Sequence, residues 1–299
     1  MRLLVYTDLH LKPAGSGYDI DAMQTPDAID AALVVGDLTH RANPADVELA
    51  REFVERFGSD TPVIYVPGNH DHAPMPSNVV EPLTASWSGH RFVRDFGDLT
   101  MVGLGCEQRS LSPAIDQCAF PALDPRDAPQ GDRRYLADQV ANDLEAACLD
   151  VVRGTATPSE AARSLGIDDP ELPRFLRGVE RVETEYEQLA DLLEGQTNVL
   201  LVTHVPPFNT AFDRHHAVGT READREFLHF GSIATKLAIR EHDVFAALSG
   251  HSHTYGYEPA DGSDGHTYCL NLGYRGIGTV TLDPENRSFG FTQASTGDA

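Results

Sequence analysis

Short apolar runs recur along the chain, and each stops abruptly at a glycine or a polar residue. Arg2-Leu3-Leu4-Val5-Tyr6, Ala31-Ala32-Leu33-Val34-Val35, Val63-Ile64-Tyr65-Val66, Val199-Leu200-Leu201-Val202-Thr203 and Val244-Phe245-Ala246-Ala247-Leu248 are the clearest. They are too short for helices and apolar throughout, which predicts strands buried on both faces. Further strands are expected at 91–96, 99–104, 267–272, 276–283 and 288–293. Between the second and third runs, Asn43-Pro44 supplies an N-cap and a first-turn proline. Val47, Ala50, Phe53, Val54 and Phe57 then keep helical spacing until Gly58. A strand, a helix and a second strand in this order form a βαβ unit, so the expected class is α/β.

The period changes between about 131 and 195. Leu136, Val140, Leu144 and Cys148 recur every fourth residue, and Thr157-Pro158-Ser159-Glu160 is a capping box with proline at the first helical position. A third helix is expected from Pro170 to Glu194, with Phe175, Leu176, Val179, Val182, Tyr186, Leu189 and Leu193 on its apolar face and Gly195 closing it. Acidic residues number 15 against 7 arginines here, which argues against a DNA-reading helix pair. The expectation is an inserted helical cap or oligomer surface within a single domain spanning 1–299. Residues 73–90 are proline-rich and weakly helical, 105–130 and 210–229 read as irregular, and a helix is expected near 231–241.

Composition narrows the class. A hydrophobic share of 41% supports a sizeable core. No run approaches the roughly 18 apolar residues of a membrane span, and the N-terminus enters a strand directly, so the expected location is cytoplasmic. Cys106, Cys118, Cys148 and Cys269 lie far apart and are expected as buried thiols. The net charge is −23, and Lys12 and Lys236 are the only lysines. Acids spread along the whole chain in this way are expected of a halophilic protein, whose self-repulsion concentrated salt screens. They also leave no basic surface for nucleic acid.

The chemistry lies where the strands end. The third run closes in Pro67-Gly68 and delivers Asn69-His70-Asp71 on a loop. The first ends in Asp8-Leu9-His10, whose carboxylate and imidazole, two apart, can face one point. The second ends in Gly36-Asp37, the fourth in His204, and the fifth in Gly250-His251-Ser252-His253. Ligands bind at the carboxyl ends of parallel strands. Together these residues suit two metal ions about 3.5–4 Å apart. A shared carboxylate is then required, and Asp37 is the candidate.

The ordered blocks Asp-x-His, Gly-Asp, Gly-Asn-His-Asp, His and Gly-His-x-His resemble the calcineurin-like metallophosphoesterase superfamily. The resemblance covers the chain outside roughly 105–195. It implies a four-layer αββα sandwich with a helical insert and two divalent ions. Asp8, His10, Asp37 and His253 would hold one ion; Asp37, Asn69, His204 and His251 would hold the other. The metals are expected from Mn, Fe, Zn, Co or Ni, with Mn favoured. The implied reaction is hydrolysis of a phosphomonoester or phosphodiester by a hydroxide shared between the ions. His70 would serve the leaving group and Asp71 would orient His70.

Two local features bear on the substrate. The protein-phosphatase branch carries an acid before an arginine after Gly-Asp, whereas this chain reads Gly36-Asp37-Leu38-Thr39-His40-Arg41. A protein phosphatase is therefore disfavoured, with Arg41 kept as a candidate phosphate contact. His229-Phe230-Gly231-Ser232 resembles a pattern of the smaller phosphodiesterase-like members, which makes His229 a second candidate. Asp213, His215 and His216 are expected on a mobile surface loop. The expected partner is a small phosphate ester, with nucleotides among the candidates; membranes and nucleic acid are not expected. The sequence leaves oligomeric state open. A non-catalytic scaffold and a nuclease are the alternatives. The HxHxDH motif of metallo-β-lactamase relatives is absent, and the first strand lacks the HxH of amidohydrolases.

Overall fold

A computed structural model describes residues 1–12, 28–71, 73–83, 85–106, 133–214, 229–263 and 265–294. The strands are β1 (Arg2–Thr7), β2 (Ala31–Val35), β3 (Val63–Val66), β4 (Trp87–Ser88), β5 (Phe92–Phe96), β6 (Leu99–Leu104), β7 (Val199–Thr203), β8 (Val244–Ser249), β9 (Gly256–Gly262), β10 (Gly265–Asn271), β11 (Gly276–Asp283) and β12 (Ser288–Gln293). The helices are α1 (Pro44–Glu55), α2 (Pro74–Val80), α3 (Arg133–Val152), α4 (Pro158–Ser164), α5 (Leu172–Leu193) and α6 (Ile233–Glu241). Two six-stranded sheets result, in the orders β12-β11-β1-β2-β3-β4 and β5-β6-β7-β8-β10-β9. Strands β1 to β4 run parallel, as do β6, β7, β8 and β10; the antiparallel strands lie toward the edges.

The period-two alternation of each strand builds the layers. Leu3, Val5, Leu33, Val35, Ile64 and Val66 face Met101, Leu200, Val202, Ala246, Leu248 and Leu270 between the sheets. The alternate residues Leu4, Tyr6, Val34 and Tyr65 pack under Phe53 and Val54 of α1 and Val79 of α2. On the other side, Leu201 and Ala247 pack under Leu189 and Leu193 of α5 and Ala238 of α6. The expected αββα sandwich is observed. Helix α5 belongs to its outer layer, and α3 and α4 pack against it through Leu144, Cys148, Ala161 and Phe175.

Local signals hold where they are strong. Asn43 Oδ1 accepts from the amides of Ala45 and Asp46, both at 3.0 Å. Thr157 and Glu160 complete their capping box, the Thr157 amide donating to Glu160 Oε2 at 2.8 Å. Strands β4 and β9 escape the hydrophobic pattern. Strand β4 is two residues long, and β9 carries Pro259 at a sheet edge, where one side of a strand needs no amide donor. Tyr257 and Tyr268 of the second sheet meet Phe289 of β12 at ring distances of 5.7 and 5.4 Å, so aromatic side chains close the seam between the two sheet edges. Cys148 and Cys269 are buried, Cys106 is half-buried, and Cys118 lies outside the described residues. No helix among the described residues is long and apolar enough to cross a membrane.

Leu33 is fully enclosed between the sheets, whereas Val93 on β5 is 40% exposed. Leu33→Ala should cost about 2–5 kcal/mol of unfolding free energy in a denaturant titration. Val93→Thr should change it by less than about 0.5 kcal/mol.

Candidate metal centre

The two sheets meet at the carboxyl ends of their parallel strands. His204, following β7, passes so close to the end of β2 that a Cβ on Gly36 would stand 2.0 Å from its Nδ1. That nitrogen lies 3.2 Å from the Val35 carbonyl, to which it donates, leaving Nε2 to face Asp37. Glycine is required at two more crossings: a Cβ on Gly68 would meet Asp37 Oδ1 at 2.1 Å, and one on Gly250 would meet Asp8 Oδ2 at 2.5 Å. Asp8, His10, Asp37, His251 and His253 all occupy the left-handed region, with φ of 50°, 48°, 51°, 68° and 58°. Backbone in that region is uncommon for such residues and clusters at functional sites.

All seven sequence-named metal-ligand candidates converge here. Asp8 accepts the His251 amide at 2.9 Å, and its Oδ1 stands 3.7 Å from His253 Nε2. His10 Nε2 and His253 Nε2 are 3.1 Å apart. Asn69 Oδ1 lies 3.0 Å from His204 Nε2 and 2.9 Å from His251 Nδ1. Asp37 lies between the two groups: its Oδ2 is 3.6 Å from His10 Nε2 and 3.4 Å from His204 Nε2.

Burial sets the protonation of this cluster. It pushes the Asp8 carboxyl up to about 8, helped by the Asp37 carboxylate and opposed by His204. Burial acts the same way on Asp37, but His204, His10 and His70 overcome it and hold that carboxyl below the ordinary range. Burial drives His10 down to about 3, so its imidazole is neutral with a lone pair to offer. His204 resists the lowering effect of burial and rises to about 9 on the charges of Asp37 and Asp8. Imidazole nitrogens and an amide oxygen crowded around two enclosed carboxyl groups are the donor set of a borderline divalent cation. The residues therefore fit metal. Asp8, His10 and His253 bring ligand atoms within 4.8 Å of one another, and so do Asp8, Asp37 and His204.

Two expectations need correction. Asp71 does not orient His70. Its oxygens accept from the amides of Gly68 at 3.1 Å, Thr39 at 3.2 Å and Leu38 at 3.3 Å, and from the Thr39 hydroxyl at 2.9 Å. His70 instead donates from Nδ1 to the His40 carbonyl at 2.8 Å, and its amide donates to Asp37 Oδ1 at 2.8 Å. Nor is Asp213 a mobile surface residue: it is fully buried and pairs with His229 Nδ1 at 2.5 Å. His215 and His216 lie outside the described residues.

The substrate candidates fare differently from the metal-ligand candidates. Arg41 has an exposed side chain, and its amide donates to Asp46 at 2.9 Å. His229 is buried, with Asp213, Arg214 and Phe208 among its partners. The pattern around it has a local structural account. A Cβ on Gly231 would meet Phe208 Cα at 2.6 Å, and Ser232 caps α6 by accepting the Thr235 amide at 3.1 Å.

His40 is the residue that sequence reasoning undervalued. Its ring stacks on His70 with centroids 5.3 Å apart and planes at 27°, and it brings a ligand atom within 4.8 Å of those of His10 and His70. The signal was present as a histidine three residues beyond Asp37.

A family model described as calcineurin-like phosphoesterase matches residues 1–255. Among solved structures, the crystal structure of a phosphopantetheinyl hydrolase from Mycobacterium tuberculosis is similar, at 16% identity and a TM-score of 0.47, covering 98% of this chain and 95% of that one. No curated protein matches the chain.

Removing the Asp71 carboxylate strands several buried donors, each worth about 1–3 kcal/mol. Asp71→Ala should lose about 3 kcal/mol or more in chemical denaturation, whereas His70→Ala should lose about 1 kcal/mol or less. Equal losses would return Asp71 to a role exerted through His70.

Proposed function

The chain is a metal-dependent phosphoesterase of the calcineurin-like family, and we propose that it hydrolyses a small phosphate ester with two divalent cations held by the strand-end cluster. The observation that carries this reading is Asp37, whose Oδ2 faces His10 on one side and His204 on the other. Asp8, His10, Asp37 and His253 would hold one ion, and Asp37, Asn69, His204 and His251 the other. When bound, such ions supply positive charge for phosphate oxygens and a water acidic enough to attack phosphorus near neutral pH.

The chain's own residues do the rest. His10, with its neutral imidazole, and the Asn69 amide add no charge to the cluster, so the negative charge offered to cations would be that of Asp37 and, once its proton is displaced, of Asp8. Two divalent cations against two carboxylates leave positive charge for an anionic ester. His70, anchored through Nδ1 on the His40 carbonyl, keeps Nε2 for the leaving-group oxygen and would deliver or share a proton there. His40, stacked on His70, fixes the plane in which that nitrogen moves. Manganese is our first choice of metal, nucleotides are candidate substrates, and assay in high salt suits the acidic surface. A cytoplasmic location and a single domain carrying the 131–195 helices complete the proposal.

The direct test is to strip the protein of metal and assay p-nitrophenyl phosphate and bis-p-nitrophenyl phosphate in high salt, with and without Mn²⁺. Activity should return with the metal; inactivity on both esters and on nucleotides, across several metals, would sink the reading. His70→Ala should lower kcat by about 10²-fold or more with metal content retained. Asp37→Asn should lose both bound metal, measured by elemental analysis, and turnover.

A further inference from the structure

After β10 the chain turns through Leu272 and Gly273 into Tyr274 before β11 begins at Gly276. Gly273 has φ 78°, and a Cβ there would meet the Tyr255 amide nitrogen at 2.9 Å. This turn is tied to the candidate metal ligands by backbone bonds: the Tyr274 amide donates to the His253 carbonyl at 3.3 Å and the Arg275 amide to the Asp8 carbonyl at 3.1 Å. The Thr7 hydroxyl and the Asn271 side chain hold Gly273 at 2.8 Å each. The position of Tyr274 is therefore fixed by the cluster itself.

The Tyr274 ring lies 4.9 Å from the His253 ring and 5.8 Å from the His10 ring, and the residue is 50% exposed. Among the described residues, the other exposed tyrosines, Tyr255 and Tyr257, lean on Phe291 in the seam between the sheets. Tyr274 leans on the imidazoles of the candidate ligands instead, with the Arg275 guanidinium 5.1 Å from its ring centroid, and presents its remaining exposed surface beside the cluster. Across His10, at 4.6 Å, stands the His70 ring with His40 stacked on it. The cluster is thus bordered by flat rings on both sides. A fixed aromatic face beside a phosphate site costs little ordering to use and favours a flat partner over a flexible aliphatic one.

We propose that Tyr274 is a specificity-determining residue, a stacking wall for a planar ring carried by the ester, which makes nucleotides the substrate class. The inference rests on the phosphoesterase reading, and deepens it by naming what is attached to the phosphate. Stacking of one base on an aromatic side chain gives a selectivity of about tenfold.

The test compares adenosine 5′-phosphate with ribose 5-phosphate, which share a phosphate and a sugar and differ by the base. Binding to the metal-loaded full chain is measured by calorimetry, and kcat/KM is measured alongside. The wild type should prefer the adenosine ester about tenfold, Tyr274→Ala should bring the ratio close to one, and Tyr274→Phe should restore it. A wild-type ratio near one, a ratio unchanged in Tyr274→Ala, or no binding of either ester overturns the proposal. Tyr274-dependent base selectivity in binding without any turnover would uphold the subsite and sink the hydrolytic reading. Turnover without base selectivity would do the reverse.

Discussion

Two carboxylates enclosed at the seam between two sheets are the constraint around which this chain is arranged. Asp8 and Asp37 come from neighbouring strands of one sheet, and both are shut away from solvent. Enclosing a charge without a partner is expensive. The partners supplied are imidazoles, and they arrive from both sheets: His10 from the first, His204, His251 and His253 from the second. Shared protons satisfy such a set only in part, as the divergence of Asp8 and Asp37 from the ordinary carboxylate range indicates. Divalent cations meet the same need with more charge, and the sandwich is the scaffold that brings the donors to one place.

The scaffold also holds the loops in conformations they would not choose. Each residue other than glycine in the left-handed region costs about 1–3 kcal/mol, and five of the ligand candidates lie there. What compensates is a mesh of main-chain bonds between neighbouring strand ends within each sheet: Asp8 amide to Gly36 carbonyl at 3.3 Å, His10 amide to Asp37 carbonyl at 2.9 Å, Gly250 amide to His204 carbonyl at 2.9 Å. Asp71 belongs to this mesh, bracing the turns after β2 and β3 with both oxygens. Its place in the Gly-Asn-His-Asp block is explained by stability of the loop, and His70 takes its orientation from the next turn, through His40.

Much of this was legible in the sequence because it is periodic or ordered. Buried parallel strands read as apolar runs, and their polar ends named the ligand candidates without help from geometry. What escaped is what periodicity does not encode. Strand β9 is an edge strand with exposed alternate residues and a proline, so it resembles a loop. Adjacency in sequence suggested that Asp71 serves His70, but neighbouring residues on a tight turn point apart, and the carboxylate found amides instead. Asp213 and His229 lie in a stretch that reads as polar loop, yet their side chains meet at 2.5 Å, and that contact gives each a polar partner inside the fold. Tyr274 carries no signal until the turn after β10 is seen folded back onto His253.

Charge at the scale of the whole molecule bears on what reaches the site. A net charge of −23 repels phosphate everywhere that cations are not bound. At physiological ionic strength the field of that surface decays over about 8 Å. A small ester therefore meets repulsion only on approach and would then be held by the cations proposed for the cluster. A polymer must lay successive phosphates along the acidic exterior and meets that repulsion at every one. The aromatic face of Tyr274 acts at contact distance and is indifferent to this field. The same acidic surface that weighs against nucleic acid is thus compatible with a single nucleotide, the substrate class proposed from Tyr274.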